Sequence, residues 1–247
     1  GMRSQIDKPL RLSNELSGAL GRGEFVLYYQ PTVSLATGML EGAEALLRWR
    51  HPTDGIVPPL VFIPLAEESG EILPIGRWVL AEACRQARAW QLGFPATRHM
   101  NICINISARQ LDDPGLVGEV ADVLHETGLE PWSLVLEVTE SVLAQDAKSV
   151  LSRLRELKAL GVRLAIDDFG TGYSSLAYLR QFPFDVLKID RSFVDAATSG
   201  APGGEALLRA IVNLAASLEL TTVAEGIEQA SQAELVRALG CTIGQGY

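Results

Sequence analysis

The alternation between short apolar segments and longer segments of helical periodicity constrains this fold more than any other feature of the sequence. From Phe25 onward we count eight strand-like segments, separated mainly by segments in which apolar residues recur every three or four positions. Such alternation is typical of a parallel sheet covered by helices, and eight strands favour closure into a (β/α)8 barrel. The predicted strands are the two halves of FVLYYQPTVSLATGMLEGAEALLRW, then MNICINIS, SLVLEVTE, VRLAIDD, VLKID, TTVAEG and CTIGQGY.

The first two strands are separated only by a short turn that contains Gly38. A turn this short joins antiparallel strands, because parallel neighbours need a longer crossover. We therefore predict an α/β barrel with one strand antiparallel to the rest. The segment PLVFIPLAEESGEILPIGRWVLAEACRQARAW predicts a pair of helices, and Asp113 before Pro114 is predicted to cap the helix of DPGLVGEVADVLHETG.

The length of 247 residues predicts a single barrel domain. We assign residues 1–24 to an N-terminal tag remnant and a polar helical lead-in, and residues 25–247 to the barrel. Gly1 before Met2 is typical of a tag remnant, and the chain stops at CTIGQGY without the closing helix of a complete barrel. We expect a piece cut from a longer protein.

Charge and composition exclude several classes of partner. The formal net charge of −9 argues against binding of polymeric nucleic acid or of an anionic membrane. No apolar run approaches the roughly 20 residues that cross a bilayer, and the three cysteines lie far apart without CxxC spacing. We expect a cytoplasmic domain with reduced thiols, although the full-length protein could be tethered to a membrane.

Polar side chains end nearly every predicted strand. In an α/β barrel the C-terminal ends of the strands surround one mouth, where active sites lie. Acidic residues at the ends of several strands, with amides and a lysine beside them, would therefore converge if the barrel closes. In strand order these residues are Glu44, Asn105, Glu137 with Glu140, Asp167 with Asp168, Lys188 with Asp190, Glu225, and Gln245.

Such a cluster needs positive charge. Two carboxylates about 4 Å apart repel by about 4 kcal/mol at an effective dielectric constant near 20, and total stability is only about 5 to 15 kcal/mol. Lys188 supplies one positive charge, so the remaining choices are protonated acids or bound cations. Oxygen donors suit Mg²⁺ or Mn²⁺, and Asp167 beside Asp168 could bridge two ions. We predict a two-metal site with ions about 3.5 to 4 Å apart.

Seven short motifs follow one another along the chain: EALLRW at 44–49, NIS at 105–107, EVTE at 137–140, DDFGTGYSSL at 167–176, KID at 188–190, AEGIE at 224–228 and QGY at 245–247. Together they resemble the EAL-domain family of cyclic di-GMP phosphodiesterases, from YYQP at Tyr28 to the last residue. The resemblance implies a modified TIM barrel with an inverted strand. It also implies hydrolysis of cyclic di-GMP to linear pGpG in the bacterial cytoplasm, by a two-metal mechanism that lowers a second messenger.

The resemblance also implies roles for individual residues. Lys188 would orient or help to deprotonate the attacking water and stabilise charge in the transition state. Two ions, Mg²⁺ or Mn²⁺, would be bound, the first by Glu44, Asn105, Glu137 and Asp167, and the second by Asp167, Asp168 and Glu225.

Other matching residues lie around this centre. Arg48 resembles the side chain that grips a substrate phosphate, and Leu46 matches the same motif. Glu140 is expected to anchor the glycine-rich loop from Phe169 to Ser175, which positions the two aspartates. The further candidates for substrate contact or support are Gln30, Asp190 and Gln245.

Taken singly, several of these residues have ordinary structural explanations. Glu137 and Glu140 could be a strand end and a loop cap. Lys188 could form only a structural ion pair, and Arg48 could be a structural arginine at the barrel rim. The ordinary structural explanations become less plausible when the residues are considered together, because a separate explanation is needed at every strand end.

Two other functions stay open on the sequence alone. One is a receptor that binds cyclic di-GMP without hydrolysing it and signals to a partner. The other is an enolase-like barrel in which Lys188 abstracts a carbon-bound proton beside Mg²⁺. The adjacent aspartates favour the phosphodiesterase, as does the complete set of matching catalytic positions. The resemblance also makes a homodimer plausible, and sensory or GGDEF domains in the full-length chain.

Overall fold

The computed structural model describes residues 3–143, 147–170 and 176–246, and the side chains of these except residues 3–9 and 176–178. Within these ranges the chain forms nine strands and eleven α-helices. The strands are β1 Phe25–Ser34, β2 Leu40–His51, β3 Gly55–Val57, β4 Asn101–Asn105, β5 Leu134–Thr139, β6 Arg163–Phe169, β7 Val186–Ile189, β8 Thr221–Ile227 and β9 Ile243–Gly246. The helices are α1 Arg3–Leu16, α2 Pro59–Ser69, α3 Ile72–Gly93, α4 Ala108–Asp112, α5 Leu116–Thr127, α6 Glu140–Leu143, α7 Ala147–Ala159, α8 Leu176–Gln181, α9 Arg191–Thr198, α10 Gly204–Ser217 and α11 Ala230–Ala238.

Eight of the described strands close into a barrel, and β3 pairs only with the outer part of β2. The sheet runs β1-β9-β8-β7-β6-β5-β4-β2, and pairing of β1 with β2 closes it. Strand β1 is antiparallel to both of its neighbours, whereas the pairs from β2 through β4 to β9 are parallel. The predicted modified TIM barrel with one inverted strand is confirmed.

The inverted strand follows from the short turn between β1 and β2. Gly38 lies in that turn with a φ of 70°, a conformation that glycine adopts without steric cost. The resulting hairpin pairs Gln30 with Glu44. The antiparallel pairing of β1 with β2 was predictable from the sequence, because the short turn that specifies it is local.

Alternation along the strands divides apolar from polar surface. On β5, Leu134, Leu136 and Val138 belong to the large core between sheet and helices, whereas Val135 belongs to a small cluster with residues of neighbouring strands. The same period of two on β5 and β7 points Glu137 and Lys188 to the side of Val135 and Val186. The barrel interior therefore carries an apolar layer with charged groups above it.

The lead-in helix α1 packs against α2. Leu12 and Leu16 are fully buried, and Glu15 Oε2 lies 3.0 Å from His51 Nε2. Arg11 contacts Asp54 at 2.7 Å. The division of the chain at residue 24 stays a prediction.

The predicted N-cap at Asp113 is wrong. Helix α5 begins at Leu116 with Gly115 at the cap position, and Asp113 Oδ1 instead accepts a hydrogen bond from the Gly115 N–H at 2.9 Å. The side chain closes a local turn before the helix, a common alternative for aspartate. In the part of the chain that the structure describes, we find no helix with the length and apolar character of a membrane span.

Candidate active site

Lys188 is the centre of the barrel mouth, and its ammonium contacts carboxylates from four strands. The side chain is 2% exposed, so these contacts replace nearly all of its hydration. The distances from Lys188 Nζ are 2.7 Å to Glu225 Oε1, 2.8 Å to Glu137 Oε2, 3.3 Å to Glu44 Oε2 and 3.5 Å to Asp167 Oδ1. The predicted convergence of charged strand ends is present in the structure.

Two amide side chains fix the carboxylate of Glu44. Asn105 Nδ2 donates to Glu44 Oε1 at 2.8 Å, and Gln245 Nε2 donates to Glu44 Oε2 at 2.6 Å. Gln245 Nε2 also lies 3.2 Å from Gln30 Oε1, which links the antiparallel strand β1 to the site. The Oε1 of Gln245 is buried and has no hydrogen-bond partner among the described residues.

The environment separates the pKa values of these acids. Burial, reinforced by nearby carboxylates and opposed by Lys188, raises the pKa of Glu137 to about 8 and that of Glu225 to about 7. Burial alone would also raise the pKa of Glu44, but the charge of Lys188 and the hydrogen bonds from the two amides outweigh burial and lower this pKa. Burial opposes the charge of Lys188, yet the surrounding carboxylates raise its pKa well above the usual value.

A backbone irregularity brings Asp167 and Asp168 to the same side of the sheet. Adjacent strand residues normally point to opposite faces. Here Ile166 pairs with Leu187 and Phe169 with Ile189, so β6 contains one extra residue at the two aspartates. Asp168 also has a φ of 54°, a left-handed conformation that aspartate tolerates better than most residues.

Strand β8 has a matching irregularity at Glu225. Ala224 pairs with Gly244 and Ile227 with Gly246, so Glu225 and Gly226 form a second bulge. As a result, ligand oxygens of Asp167, Asp168 and Glu225 lie within 4.8 Å of one another. Burial, then Asp167 and Asp190, raise the pKa of Asp168, as expected for crowded carboxylates.

The donor set at the mouth fits a divalent cation. Lys188 contacts both Asp167 and Glu225, and the donor atoms that these two residues and Asp168 offer are all carboxylate oxygens. Hard cations such as Mg²⁺ and Mn²⁺ prefer such oxygens, whereas zinc prefers sites that contain nitrogen or sulfur. The chemistry of this cluster therefore agrees with the predicted class of metal.

An open cavity of about 270 Å³ lies over these groups. Arg191 is a positively charged lining residue that the sequence analysis did not single out. Its signal in the sequence was weak, because it follows the KID motif as an ordinary helix residue. The cavity is lined by Gln30, Glu44, Asp167, Lys188, Arg191, Glu225, Gly226 and Gln245.

The remaining predicted substrate residues lie outside that lining. Parallel pairing of β2 with β4 ends at Ala45, so Leu46 and Arg48 extend beyond the barrel on the face of β2 that carries Glu44. Arg48 Cζ lies 5.7 Å from the ring centre of Tyr28. Asp190 caps α9, where its Oδ1 accepts a hydrogen bond from the Ser192 N–H at 3.0 Å.

Glu140 holds the chain just after the two aspartates. Its Oε2 accepts a hydrogen bond from the Gly170 N–H at 2.9 Å, and the residue is buried. Residues 171–175 of the predicted glycine-rich loop lie outside the described residues, as does Tyr247. Substitution of Glu140 would test its predicted role as the anchor of this loop.

Glu140→Ala should lower the affinity for Mn²⁺ by roughly tenfold, because it removes the charged acceptor that fixes the backbone after Asp168 without removing a proposed ligand. Isothermal titration with Mn²⁺ measures this effect. Glu205→Ala is a suitable control, since Glu205 is an exposed residue of α10. Unchanged titration curves for Glu140→Ala would count against the anchor.

The raised pKa values predict how stability depends on pH without metal. A carboxyl whose pKa is higher in the folded protein than in the unfolded chain favours folding at low pH, and this contribution is lost as the pH rises through the folded value. For Glu137 that window runs from its usual 4.5 to about 8. The raised pKa of Glu225 makes stability fall with rising pH in the same way. The lowered pKa of Glu44 changes stability only at pH values below its usual pKa of 4.5.

We therefore expect the free energy of unfolding in the presence of a chelator to fall by a few kcal/mol between pH 5 and pH 8. Urea titrations at the two pH values measure it. Glu137→Gln should reduce this dependence and leave the part due to Glu225, because the amide does not ionise. Equal stabilities of the parent protein at both pH values would contradict the raised pKa values.

Comparison with known proteins identifies the family. The family model described as EAL domain matches residues 13–247. The chain is 46% identical over 246 residues to the bifunctional diguanylate cyclase/cyclic di-GMP phosphodiesterase MucR of Pseudomonas aeruginosa, an alignment that covers all of this chain and 36% of MucR.

Solved structures show the same barrel. A complex of the MucR phosphodiesterase with cyclic di-GMP has a TM-score of 0.90 and 47% identity, over 96% of this chain and 94% of that chain. The EAL enzyme Bd1971, with cAMP and cyclic di-GMP bound, has a TM-score of 0.92 and 36% identity, over 99% of this chain and 66% of that chain. Because the family model matches almost the whole sequence, this chain belongs to the EAL domain family.

Proposed function

We propose that this chain is a phosphodiesterase that hydrolyses cyclic di-GMP to linear pGpG and so lowers a bacterial second messenger. The observation that carries the proposal is the set of four carboxylates that surround Lys188 at the barrel mouth. Family membership supports it, since MucR is named as a cyclic di-GMP phosphodiesterase and the matched MucR structure contains that nucleotide.

Two divalent cations, Mg²⁺ or Mn²⁺, belong to this proposal. When bound, they supply Lewis-acid activation of the attacking water and neutralise charge on the phosphodiester. The bulges of β6 and β8 support the second group of ligands, because they gather its oxygens on one side. The proposed ligands are Glu44, Asn105, Glu137 and Asp167 for one ion, and Asp167, Asp168 and Glu225 for the other.

Lys188 acts in this proposal as a hydrogen-bond donor and a positive charge. Its pKa is raised by the surrounding carboxylates, so the side chain carries its proton at neutral pH. A protonated lysine can orient a water molecule and stabilise charge on the phosphate oxygens. The same protonation disfavours the enolase-like alternative, because a lysine that abstracts a proton from carbon must first be neutral.

The dimensions of the site favour a substrate that only partly enters it. A cavity of about 270 Å³ is at the lower end of ligand pockets and suits one phosphate group with its water. The rest of the dinucleotide would lie along β2, where Arg48 offers a positive charge to a phosphate and Leu46 offers apolar contact. Gln30 and Gln245 line the cavity, and the Oε1 of Gln245, which has no partner within the described part of the chain, can accept a hydrogen bond from substrate or water.

The proposal extends to the biological setting of the chain. This chain spans 36% of the length of MucR, so sensory or GGDEF domains beside it are part of the proposal. So are a homodimer and a cytoplasmic location.

The direct experiment incubates the protein with cyclic di-GMP and Mg²⁺ or Mn²⁺ and follows pGpG by chromatography. The proposal expects pGpG to accumulate, and a chelator to stop its formation. Tight binding of cyclic di-GMP without product would favour the receptor. If the protein neither binds cyclic di-GMP nor forms pGpG, both functions are excluded. A chelator control also separates this enzyme from a contaminating metal-independent nuclease.

A further inference from the structure

Arg191 lies at the rim of the active-site cavity but has no role in the proposed reaction so far. It is the first residue of α9 and follows Asp190 directly. Among the described residues that line the cavity, Arg191 and Lys188 carry positive charge. Its neighbours in the lining include Glu225 and Gly226 of the bulge in β8.

The stem of Arg191 lies against the backbone of Gly226. A Cβ atom added to Gly226 would lie 2.7 Å from both Cβ and Cδ of Arg191, closer than real Cβ contacts. Gly226 also has a φ of 68°, which disfavours any other residue. The residue directly after Glu225 therefore accommodates Arg191 only because it is glycine.

The guanidinium of Arg191 holds the same segment at a second point. Its Nη1 lies 2.6 Å from Glu228 Oε1, and its Nε lies 3.0 Å from Asp195 Oδ2 on α9. Gln232 strengthens the connection, because its Nε2 donates to Asp195 Oδ1 at 3.1 Å and its Oε1 accepts from the Glu228 N–H at 2.8 Å. Arg191 thus ties residues 226 and 228 to helix α9.

This restraint acts on a strand end that lies beside two other carboxylates. Glu225 carries a carboxylate that lies beside those of Asp167 and Asp168. Like charges at this separation repel and favour rotation of the Glu225 strand end toward solvent, a motion that the contact of Lys188 Nζ with Glu225 Oε1 at 2.7 Å opposes only at the carboxylate itself. A bulge alone does not prevent this, because it leaves the residues concerned without regular pairing.

We propose that Arg191 is a positioning residue that holds Glu225 toward Asp167 and Asp168. This rests on the proposed function, in which Glu225 helps to bind the second cation. Arg191 acts here through the backbone of residues 226–228, since two of its nitrogens are already engaged by carboxylates.

The test measures Mn²⁺ binding to the metal-free protein by isothermal titration. Arg191→Ala should weaken the binding of one of two cations by roughly tenfold to a hundredfold, the range found when groups that orient ligands are removed. Arg191→Lys should recover part of the loss, because lysine keeps the stem and one donor. Gly226→Ala should reproduce the loss, since its methyl group displaces Arg191.

Arg209→Ala is the matched control. Arg209 pairs with Glu205 at 2.7 Å on the exposed face of α10, so Arg209→Ala loses the same kind of ion pair at residues that do not line the cavity. Cation binding by this variant should equal that of the parent protein. Circular dichroism and thermal unfolding establish that each variant is folded.

Kinetics provide a second readout that a purely structural role would not give. Arg191→Ala should lower kcat for cyclic di-GMP about tenfold or more, while KM changes little, because its effect is on cation placement rather than on substrate contact. Parent-like cation binding by a folded Arg191→Ala variant would overturn the inference. Failure of the parent protein itself to bind cations or form pGpG would instead overturn the proposed function.

Discussion

Replacing Asp167 by alanine should lower the hydrolysis of cyclic di-GMP by roughly a thousandfold or more. Asp167 belongs to both proposed ligand sets and lies 3.5 Å from Lys188. Its loss therefore removes a shared oxygen donor from the two cation sites. The fold should survive, because Asp167 lies near the end of β6 and its side chain takes no part in the apolar core.

The rate of pGpG formation, followed by chromatography under saturating Mn²⁺, measures this effect. Thermal unfolding of the variant should resemble that of the parent protein. Glu205→Ala removes an exposed carboxylate from α10 and should leave the rate unchanged. Retention of near-normal turnover by Asp167→Ala would refute its assignment as a ligand.

Lys188→Met should also abolish most turnover, but its effect on cation binding should be opposite to that of Asp167→Ala. In the cation-free protein the ammonium of Lys188 contacts four carboxylates and offsets part of their charge. Methionine keeps similar length without charge, so these acids become better ligands for a divalent cation. We expect turnover to fall by roughly a thousandfold, the upper range for loss of one transition-state donor, and Mn²⁺ affinity at pH 8 to rise.

The same substitution should destabilise the cation-free protein by about 3 to 5 kcal/mol, the usual cost of breaking a buried charge network. Added Mn²⁺ should recover much of that loss. Lys158→Met is the matched control, because Lys158 pairs with Asp185 at 2.8 Å just before β7, away from the mouth. Weaker Mn²⁺ binding by Lys188→Met would contradict the view that its ammonium occupies the place of a cation.

Much of the fold could be predicted because its determinants are local. The short turn at Gly38 specifies the antiparallel hairpin, and strand periodicity specifies which face Glu137 and Lys188 share. Closure of the barrel then brings together residues from distant parts of the chain. The position of the charged cluster follows from these two local rules.

The details that shape the site are not local, and the sequence analysis missed them. The bulges at Asp167–Asp168 and Glu225–Gly226 depend on the register between neighbouring strands. Arg191 gains significance only from its contact with Gly226, a residue 35 positions away by the numbering. The glycine inside the AEGIE strand was the available signal, because a glycine within a strand often marks a bulge or a close approach.

A crystal structure of the protein soaked in Mn²⁺, measured at the manganese absorption edge, would show whether carboxylates from several strands gather at the mouth to bind two divalent cations. We expect two anomalous peaks about 3.5 to 4 Å apart, both in contact with Asp167. A mouth without anomalous peaks, or peaks bound elsewhere in the protein, would contradict this expectation.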